Sequence, residues 1–474
     1  MEEENKTSVN LPKQKKIQDG KDHEKIQDGK DQDFMWLPDY IHQVFNVLNE
    51  GGFSAYIVGG CTRDFLLDLP VNDYDFTSSA TPEEVMELFK DYSQFYNGLK
   101  HGTVSIVIEG HVVEITTYRV DGPYENFRHP EQVIFTKRLM DDISRRDFTI
   151  NSIAYSPEEG FVDYFGGKND LSKRLIRAIG EPSQRFQEDA LRIMRALRFA
   201  SALGFDIEEA TWQAMVQNRH LLSHISAERK AIELTKLLLG QNVQKILTNY
   251  SLILDCIMPE IALMQGFDQN NPYHIYDVLE HTARVVAHAP LDLDIRLAAF
   301  FHDAGKVHTY TISEDGTGHF YGHNQVSADI AHRVLSELKF DKETTKKVVK
   351  LVKYHDRYIE ENTKSVKRAM NKMGEELFFK LLDLKRADNL AQSPEFLYRL
   401  DDIENLRQIA FKIIAENQCF SLSNLAVNGR DMLALGLQGK EIGQALEDIL
   451  QAVLDEEITN DKEAILSYIK RKSI

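Results

Sequence analysis

From about residue 185 almost to the C-terminus, apolar side chains recur at three- and four-residue intervals, punctuated by Pro259, Pro272 and Pro290. That period belongs to amphipathic helices, so more than half of the chain must bury helix faces against one another. Upstream the rhythm changes. Leu37 to Glu50 repeats as a helix, and Ala55 to Val58 reads as a short buried strand ending at Gly59-Gly60. Thr103–Ile108 and His111–Tyr118, broken at Gly110, read as a hairpin. The expected fold class is α+β: a small mixed-sheet head followed by an all-α neck, body and further helical domain.

Residues 1–33 stand apart. They are polar and repeat the segment Lys16–Asp22 at Lys25–Asp31, with too little apolar content to fold, so a disordered tail is expected. No run of about 18 apolar residues occurs and the first 33 residues hold no hydrophobic segment, which predicts neither a membrane helix nor a secretory signal. Cys61, Cys256 and Cys419 show no paired spacing and fit free thiols in a reducing compartment, so a cytoplasmic setting is expected, with no membrane and no obligate protein partner. A formal charge of −18 excludes a protein that coats nucleic acid indiscriminately. Any RNA contact must be local, and Lys137 to Arg198 is more basic than the chain around it, with twelve Lys and Arg against ten Asp and Glu.

Gly59-Gly60 falls between a strand and a helix, where bare backbone N–H groups can hold phosphate. Asp73 and Asp75 follow. At strand spacing their carboxylates face the same side, and adjacent like charges are usually tolerated for the sake of divalent metal ions. Taken alone, an Asp-x-Asp is more often a solvated acidic turn. The order Gly59-Gly60-x-x-Arg63-Asp64, Asp73-x-Asp75, Val113–Arg119, Arg145–Asn151 and Phe165–Leu171 resembles the polymerase-β-type nucleotidyltransferases, specifically the bacterial CCA-adding enzyme and poly(A) polymerase family. The resemblance runs from about Phe34 to the C-terminus.

The resemblance implies a template-independent transferase that adds CMP and AMP from CTP and ATP to the tRNA 3′ end. Mg²⁺ would be held by Asp73 and Asp75, with Glu114 in support, in a two-metal mechanism. Gly59, Gly60, Arg63, Arg146, Asp147 and Asn151 would bind the nucleotide's phosphates and sugar. The loop Arg119–Arg128 resembles the family's mobile loop, but Asn126 and His129 stand where many members have Asp and Arg. Phe186–Phe199 reads as one helix carrying Asp189 and Arg192, which resemble the nucleotide-selecting pair and would be i, i+3 neighbours. An acceptor-only Asp and a donor-only Arg match the pairing edges of cytosine and adenine and mismatch those of uracil and guanine.

His281, His302-Asp303, His323, His355 and Asp388 follow in the order of the HD superfamily of metal-dependent phosphohydrolases. That resemblance implies a metal on His281, His302, Asp303 and Asp388, and a second ion on His323 and His355, with Mn, Fe or Ni suited to mixed imidazole and carboxylate ligands. The glycines and Lys440 of Val427–Gly443 resemble the family's C-terminal tRNA-binding region. The expected domains are a tail at 1–33, a head at 34–155, a neck and body at 156–265, an HD domain at 266–400 and a tRNA-binding region at 401–474. Two alternatives stay open: a poly(A) polymerase or partial CC- or A-adding enzyme, and an HD phosphohydrolase or RNA-binding regulator with an inactive head.

Overall fold

A computed structural model describes residues 37–472 except 72, 123, 126–128, 131 and 132. The expected disordered tail and Asn126 of the loop lie outside the described residues. Helix α1 (Asp39–Glu50) buries Ile41, Val44, Phe45 and Leu48, one stripe at helical spacing, against the head sheet. Strand β1 (Ala55–Val58) is buried along its whole length and runs into α2 (Gly60–Leu66). Strands β2 (Asp75–Ser78), β3 (Ser93–Phe95), β4 (Thr103–Ile108), β5 (His111–Thr117), β6 (Ala154–Ser156) and β7 (Gly160–Val162) complete a seven-stranded sheet in the order β7-β6-β1-β2-β5-β4-β3. The hairpin β4/β5 turns at Glu109 and Gly110, with φ of 51° and 83°. Two left-handed residues match the twist of the flanking strands. Strands β2 and β5 run parallel, with Asp75 opposite Glu114.

Two expected boundaries move. A division at 155/156 cuts through β6, because the head sheet continues to Val162. Past it comes α3 (Pro182–Glu188), and here the single helix expected over Phe186–Phe199 is broken. Asp189 is extended (φ −136°, ψ 103°), and α4 (Leu191–Leu203) starts after it. The cause is the Asp189 side chain, whose Oδ1 accepts the Leu191 N–H at 3.0 Å and so competes with helix hydrogen bonding. Asp189 and Arg192 are therefore not neighbours on one helix face.

The body continues through α5 (Ala227–Leu238), α6 (Val278–His288), α7 (Leu293–Phe301), α8 (His323–Glu337), α9 (Lys342–Tyr354), α10 (Glu375–Leu390) and α11 (Arg399–Ala415). One apolar core links Phe148 to Ile413, joining neck, body and the histidine-bearing helices. A second, small core from Cys419 to Ile469 surrounds α12 (Lys440–Leu454). The expected division at 400/401 thus falls inside α11, which packs on the preceding helices. Among the described residues, no helix is long and apolar enough to cross a membrane.

Candidate active site and a buried histidine cluster

Strand β1 delivers the chain to Gly59, whose φ of 99° suits glycine, and α2 opens at Gly60. The two glycines line a cleft of about 450 Å³ between head and neck, with Arg63, Asp75, Arg146, Asp147, Asn151, Asp189 and Arg192 on its walls. Nine of the predicted residues therefore meet in one cavity. Of the three carboxylates expected to hold metal, Asp75 lines the cleft. Asp73 lies two residues before β2 rather than within the strand, and Glu114 sits beside Asp75 on β5, on the same face; both are exposed. Desolvation raises the Asp75 carboxyl above its usual range, Arg146 counters it and Asp73 adds to it. A carboxylate raised by burial and by a neighbouring anion, among oxygen donors only, fits a hard divalent cation such as Mg²⁺.

Behind the glycines runs a polar chain. Arg63 Nη1 donates to Asn151 Oδ1 at 2.7 Å, Asn151 Nδ2 to Asp147 Oδ1 at 3.2 Å, and Arg195 Nε to Asp147 Oδ2 at 2.7 Å. Burial alone would raise Asp147, but Arg195, Asn151 and Arg192 outweigh it and hold the carboxyl down at about 2. Arg145 and Arg146 bracket the fully buried Asp142 at 2.8 and 3.4 Å. They hold its carboxyl down against the burial that opposes ionisation.

Asp189 and Arg192 reach the cleft with different partners. Asp189 Oδ2 accepts from Arg229 of α5 at 3.1 Å. Arg192 donates to Glu188 at 2.7 Å and to the carbonyls of Arg185 and Arg145 at 3.0 and 2.7 Å. Both side chains are thus oriented by the protein. Sequence reasoning missed Arg145, Arg195, Arg198, Arg229 and Phe199, which also line the cleft. Phe199 is flanked by guanidinium groups, that of Arg198 4.0 Å from its ring centre. With seven arginines against three aspartates, the wall is strongly positive in a chain of charge −18. The local basicity of Lys137–Arg198 was the available signal.

The structure also gathers all six residues expected at the second site. His281 lies in α6, His302 caps α7, His323 opens α8, His355 caps α9 and Asp388 lies in α10. Asp303 stands at the centre. Its Oδ2 is 3.4 Å from His281 Nε2 and 3.2 Å from His302 Nε2, and its Oδ1 is 3.5 Å from His323 Nε2 and 3.8 Å from His355 Nε2. Asp388 Oδ1 approaches His281 Nε2 at 3.0 Å.

Each imidazole turns Nδ1 to a main-chain carbonyl: Ala391 at 3.3 Å, Ala299 at 2.7 Å, Phe320 at 2.8 Å and Val352 at 2.7 Å. A carbonyl only accepts, so the proton sits on Nδ1 and the Nε2 lone pairs converge. The facing pairs are 3.4 and 3.3 Å apart. Burial, His302 and His323 depress His355 to about 3, which keeps it neutral. Buried Asp303 Oδ2 has no well-directed hydrogen bond, although Lys306 Nζ stands 2.8 Å away. Converging lone pairs and an unsatisfied carboxylate oxygen form a donor set that fits metal ions, with Asp303 placed to serve two.

Comparison with known proteins shows which family the chain resembles. A "Poly A polymerase head domain" model matches residues 55–177, a "Probable RNA and SrmB- binding site of polymerase A" model matches 204–264, and a tRNA nucleotidyltransferase domain 2 model matches 320–469. The CCA-adding enzyme of Bacillus pumilus (strain SAFR-032) is 33% identical over 431 residues, covering 90% of this chain and 95% of that one. The CCA-adding enzyme of Geobacillus stearothermophilus is 48% identical over 197 residues, 42% of this chain and 48% of the relative. The crystal structure of the Bacillus stearothermophilus CCA-adding enzyme in complex with CTP superposes with a TM-score of 0.68 at 28% identity, over 92% of this chain and 97% of that one. The Thermotoga maritima CCA-adding enzyme complexed with tRNA shares the fold, with a TM-score of 0.56 at 20% identity over 92% and 97% of the two chains.

Proposed function

The chain belongs to the CCA-adding enzyme family, and from that premise we propose how its own residues divide the work of rebuilding the tRNA 3′ end. The enzyme adds CMP and AMP from CTP and ATP and releases pyrophosphate. One observation carries the assignment of residues: glycine turn, carboxylate, arginines and base-selecting pair share a single cleft.

Asp73 and Asp75, with Glu114 beside Asp75, would hold the divalent ions. When bound, these ions lower the cost of ionising the attacking tRNA hydroxyl and neutralise charge on the leaving pyrophosphate. The Gly59 and Gly60 backbone with Arg63 and Arg146 receive the triphosphate, while Asp147 and Asn151 hold the sugar side. Asp189 accepts from the amino group of cytosine or adenine and Arg192 donates to the ring nitrogen beside it. Arg229 and the Leu191 N–H fix Asp189, and three acceptors fix Arg192, so the pair is rigid before the base arrives. Uracil or guanine opposes donor to donor and acceptor to acceptor, costing roughly 1–3 kcal/mol for each buried group left unpaired.

A specific observation favours a second activity. Asp303 divides its two oxygens between two histidine pairs, as suits an HD-type phosphohydrolase centre. His281, His302, Asp303 and Asp388 would hold one transition metal (Mn, Ni or Fe), and His323 and His355 with Asp303 another. Metal there supplies a Lewis acid and an activated water. The reduced thiols Cys61, Cys256 and Cys419 suit a cytoplasmic setting.

The test is elemental analysis and turnover on one preparation. The unmodified protein is expected to bind Mn²⁺ beyond what the head retains and to hydrolyse a cyclic phosphodiester. A His281→Ala, His355→Ala variant that binds as much Mn²⁺ as the unmodified protein contradicts the second centre.

A further inference from the structure

Asp142 sits in the short helix Leu139–Ser144 and is fully buried, a place that an aspartate rarely takes without partners. Its two oxygens gather donors from several elements. Oδ1 accepts Arg145 Nε and Nη2 at 2.9 and 2.8 Å and the Arg119 N–H at 3.4 Å. Oδ2 accepts the Thr77 hydroxyl at 3.0 Å and Arg146 Nη2 at 3.4 Å. Burial opposes the charge, and Arg146 and Arg145 keep it. Thr77 lies on β2, so the carboxylate ties both arginines to the strand that begins at Asp75.

The far ends of these contacts lie in the cleft. Arg145 and Arg146 both line it. A Cβ on Gly59 would stand 3.5 Å from Arg146 Nη1, so that guanidinium lies over the glycine turn. Arg146 Nε is buried without an acceptor, a donor that the fold itself does not satisfy. The Arg145 carbonyl accepts Arg192 Nη2 at 2.7 Å, which carries the same clamp on to the base-selecting pair. Fixing an arginine costs rotamer freedom, and two adjacent guanidinium groups repel each other. An anion set behind them offsets both costs before any phosphate arrives.

We propose that Asp142 is a positioning residue of the transferase: its buried charge aims Arg145 and Arg146 at the triphosphate and, through the Arg145 carbonyl, keeps Arg192 aligned with the base. The proposal rests on the assignment of triphosphate and base to this cleft. Asp142 does not line the cleft, so it acts only through these arginines.

Asp142→Asn keeps the shape and removes the charge. Its carbonyl can face Arg145 and its amide can donate to the Thr77 hydroxyl, which reverses to accept, but Arg146 then meets a donor. The reference is Asp170→Asn, which alters a buried aspartate of the same kind, bonded to Arg177 and Thr149 at 2.8 and 2.6 Å and away from the cleft. On the full chain, with folding checked by circular dichroism, the readouts are the dissociation constant for CTP without tRNA, inhibition by inorganic tripolyphosphate, and the preference for CTP over UTP in incorporation. Asp142→Asn is expected to weaken CTP and tripolyphosphate about tenfold or more, as suits hydrogen bonds lost to a charged group. At saturating CTP, kcat stays near that of the unmodified enzyme. The preference for CTP falls roughly 2- to 12-fold, the worth of one neutral hydrogen bond. Asp170→Asn lowers stability in urea and moves none of these readouts. Thr77→Val, which withdraws the hydroxyl that fixes Oδ2, weakens tripolyphosphate in the same direction and carries the test if Asp142→Asn does not fold. Unchanged tripolyphosphate inhibition in Asp142→Asn, or an equal change in Asp170→Asn, overturns the proposal alone. A preference equal to that of the unmodified enzyme overturns its link to Arg192. If Arg146→Ala also leaves tripolyphosphate inhibition unchanged, the triphosphate assignment falls with it.

Discussion

Asp147→Asn isolates the charge that joins head to neck. The replacement keeps the side chain's shape and the oxygen that accepts the Phe148 N–H at 2.8 Å, but it removes the anion facing Arg195. Arg195 is left with the longer-range attraction of Glu233 and Asp189. The folded carboxyl sits at about 2 against a usual 3.8. At 1.36 kcal/mol per unit, that difference corresponds to about 2.5 kcal/mol of stability at pH 7. The sign follows from the depression: the contribution is complete above the unfolded value and is lost as pH falls through the folded one. At pH 3 about 1.3 kcal/mol should remain, and near pH 1 almost none. Urea unfolding of both proteins at pH 7 and pH 3 measures it, because the gap between them should halve. A gap below about 0.5 kcal/mol at pH 7, or one independent of pH, would refute the role given to the Asp147–Arg195 pair.

Asp73→Ala or Asp75→Ala is expected to abolish Mg²⁺-dependent CMP incorporation with circular dichroism unchanged; substantial incorporation by either variant would contradict the carboxylate assignment. Arg192→Ala should reduce the preference for CTP over UTP by roughly 5- to 150-fold, the equivalent of about 1–3 kcal/mol for a lost buried donor, and an unaltered preference in competition assays would remove Arg192 from base selection. His302→Ala with Asp303→Ala should strip transition metal and any hydrolysis of cyclic phosphate while CCA addition continues; loss of addition in a folded variant would mean that the two centres are not separate.

The element order and the chemistry of the head were legible because they rest on short-range signals. Strand burial at Ala55–Val58, the Gly59-Gly60 turn and the Glu109-Gly110 hairpin are each set within a few residues. The histidine cluster was legible as an order of ligand types along the chain, and the antiparallel packing of α8 on α9 brings His323 to His355. The break at Asp189 was hidden because Phe186, Leu191 and Met194 keep an apolar spacing close enough to helical to carry the pattern across it; only the capping chemistry of Asp pointed the other way. Arg195, Arg198 and Arg229 were missed for a different reason. An arginine on the polar face of an amphipathic helix looks the same whether it meets solvent or the wall of a cleft, and Arg229 reaches Asp189 across 40 residues of chain. Strand spacing also placed Asp73 inside β2, whereas the strand begins at Asp75.

On the function proposed above, the cleft selects C and A by protein groups alone and stops at a complete end. Three tRNA transcripts test it, one lacking CCA, one ending in C and one ending in CC, each with CTP and ATP separately and together. With both nucleotides every transcript should be extended to CCA and no further; with CTP alone the first two should gain two and one residues, and with ATP alone only the third should gain a single A. Runs of A on any transcript, or extension that halts at CC with ATP present, would contradict the account.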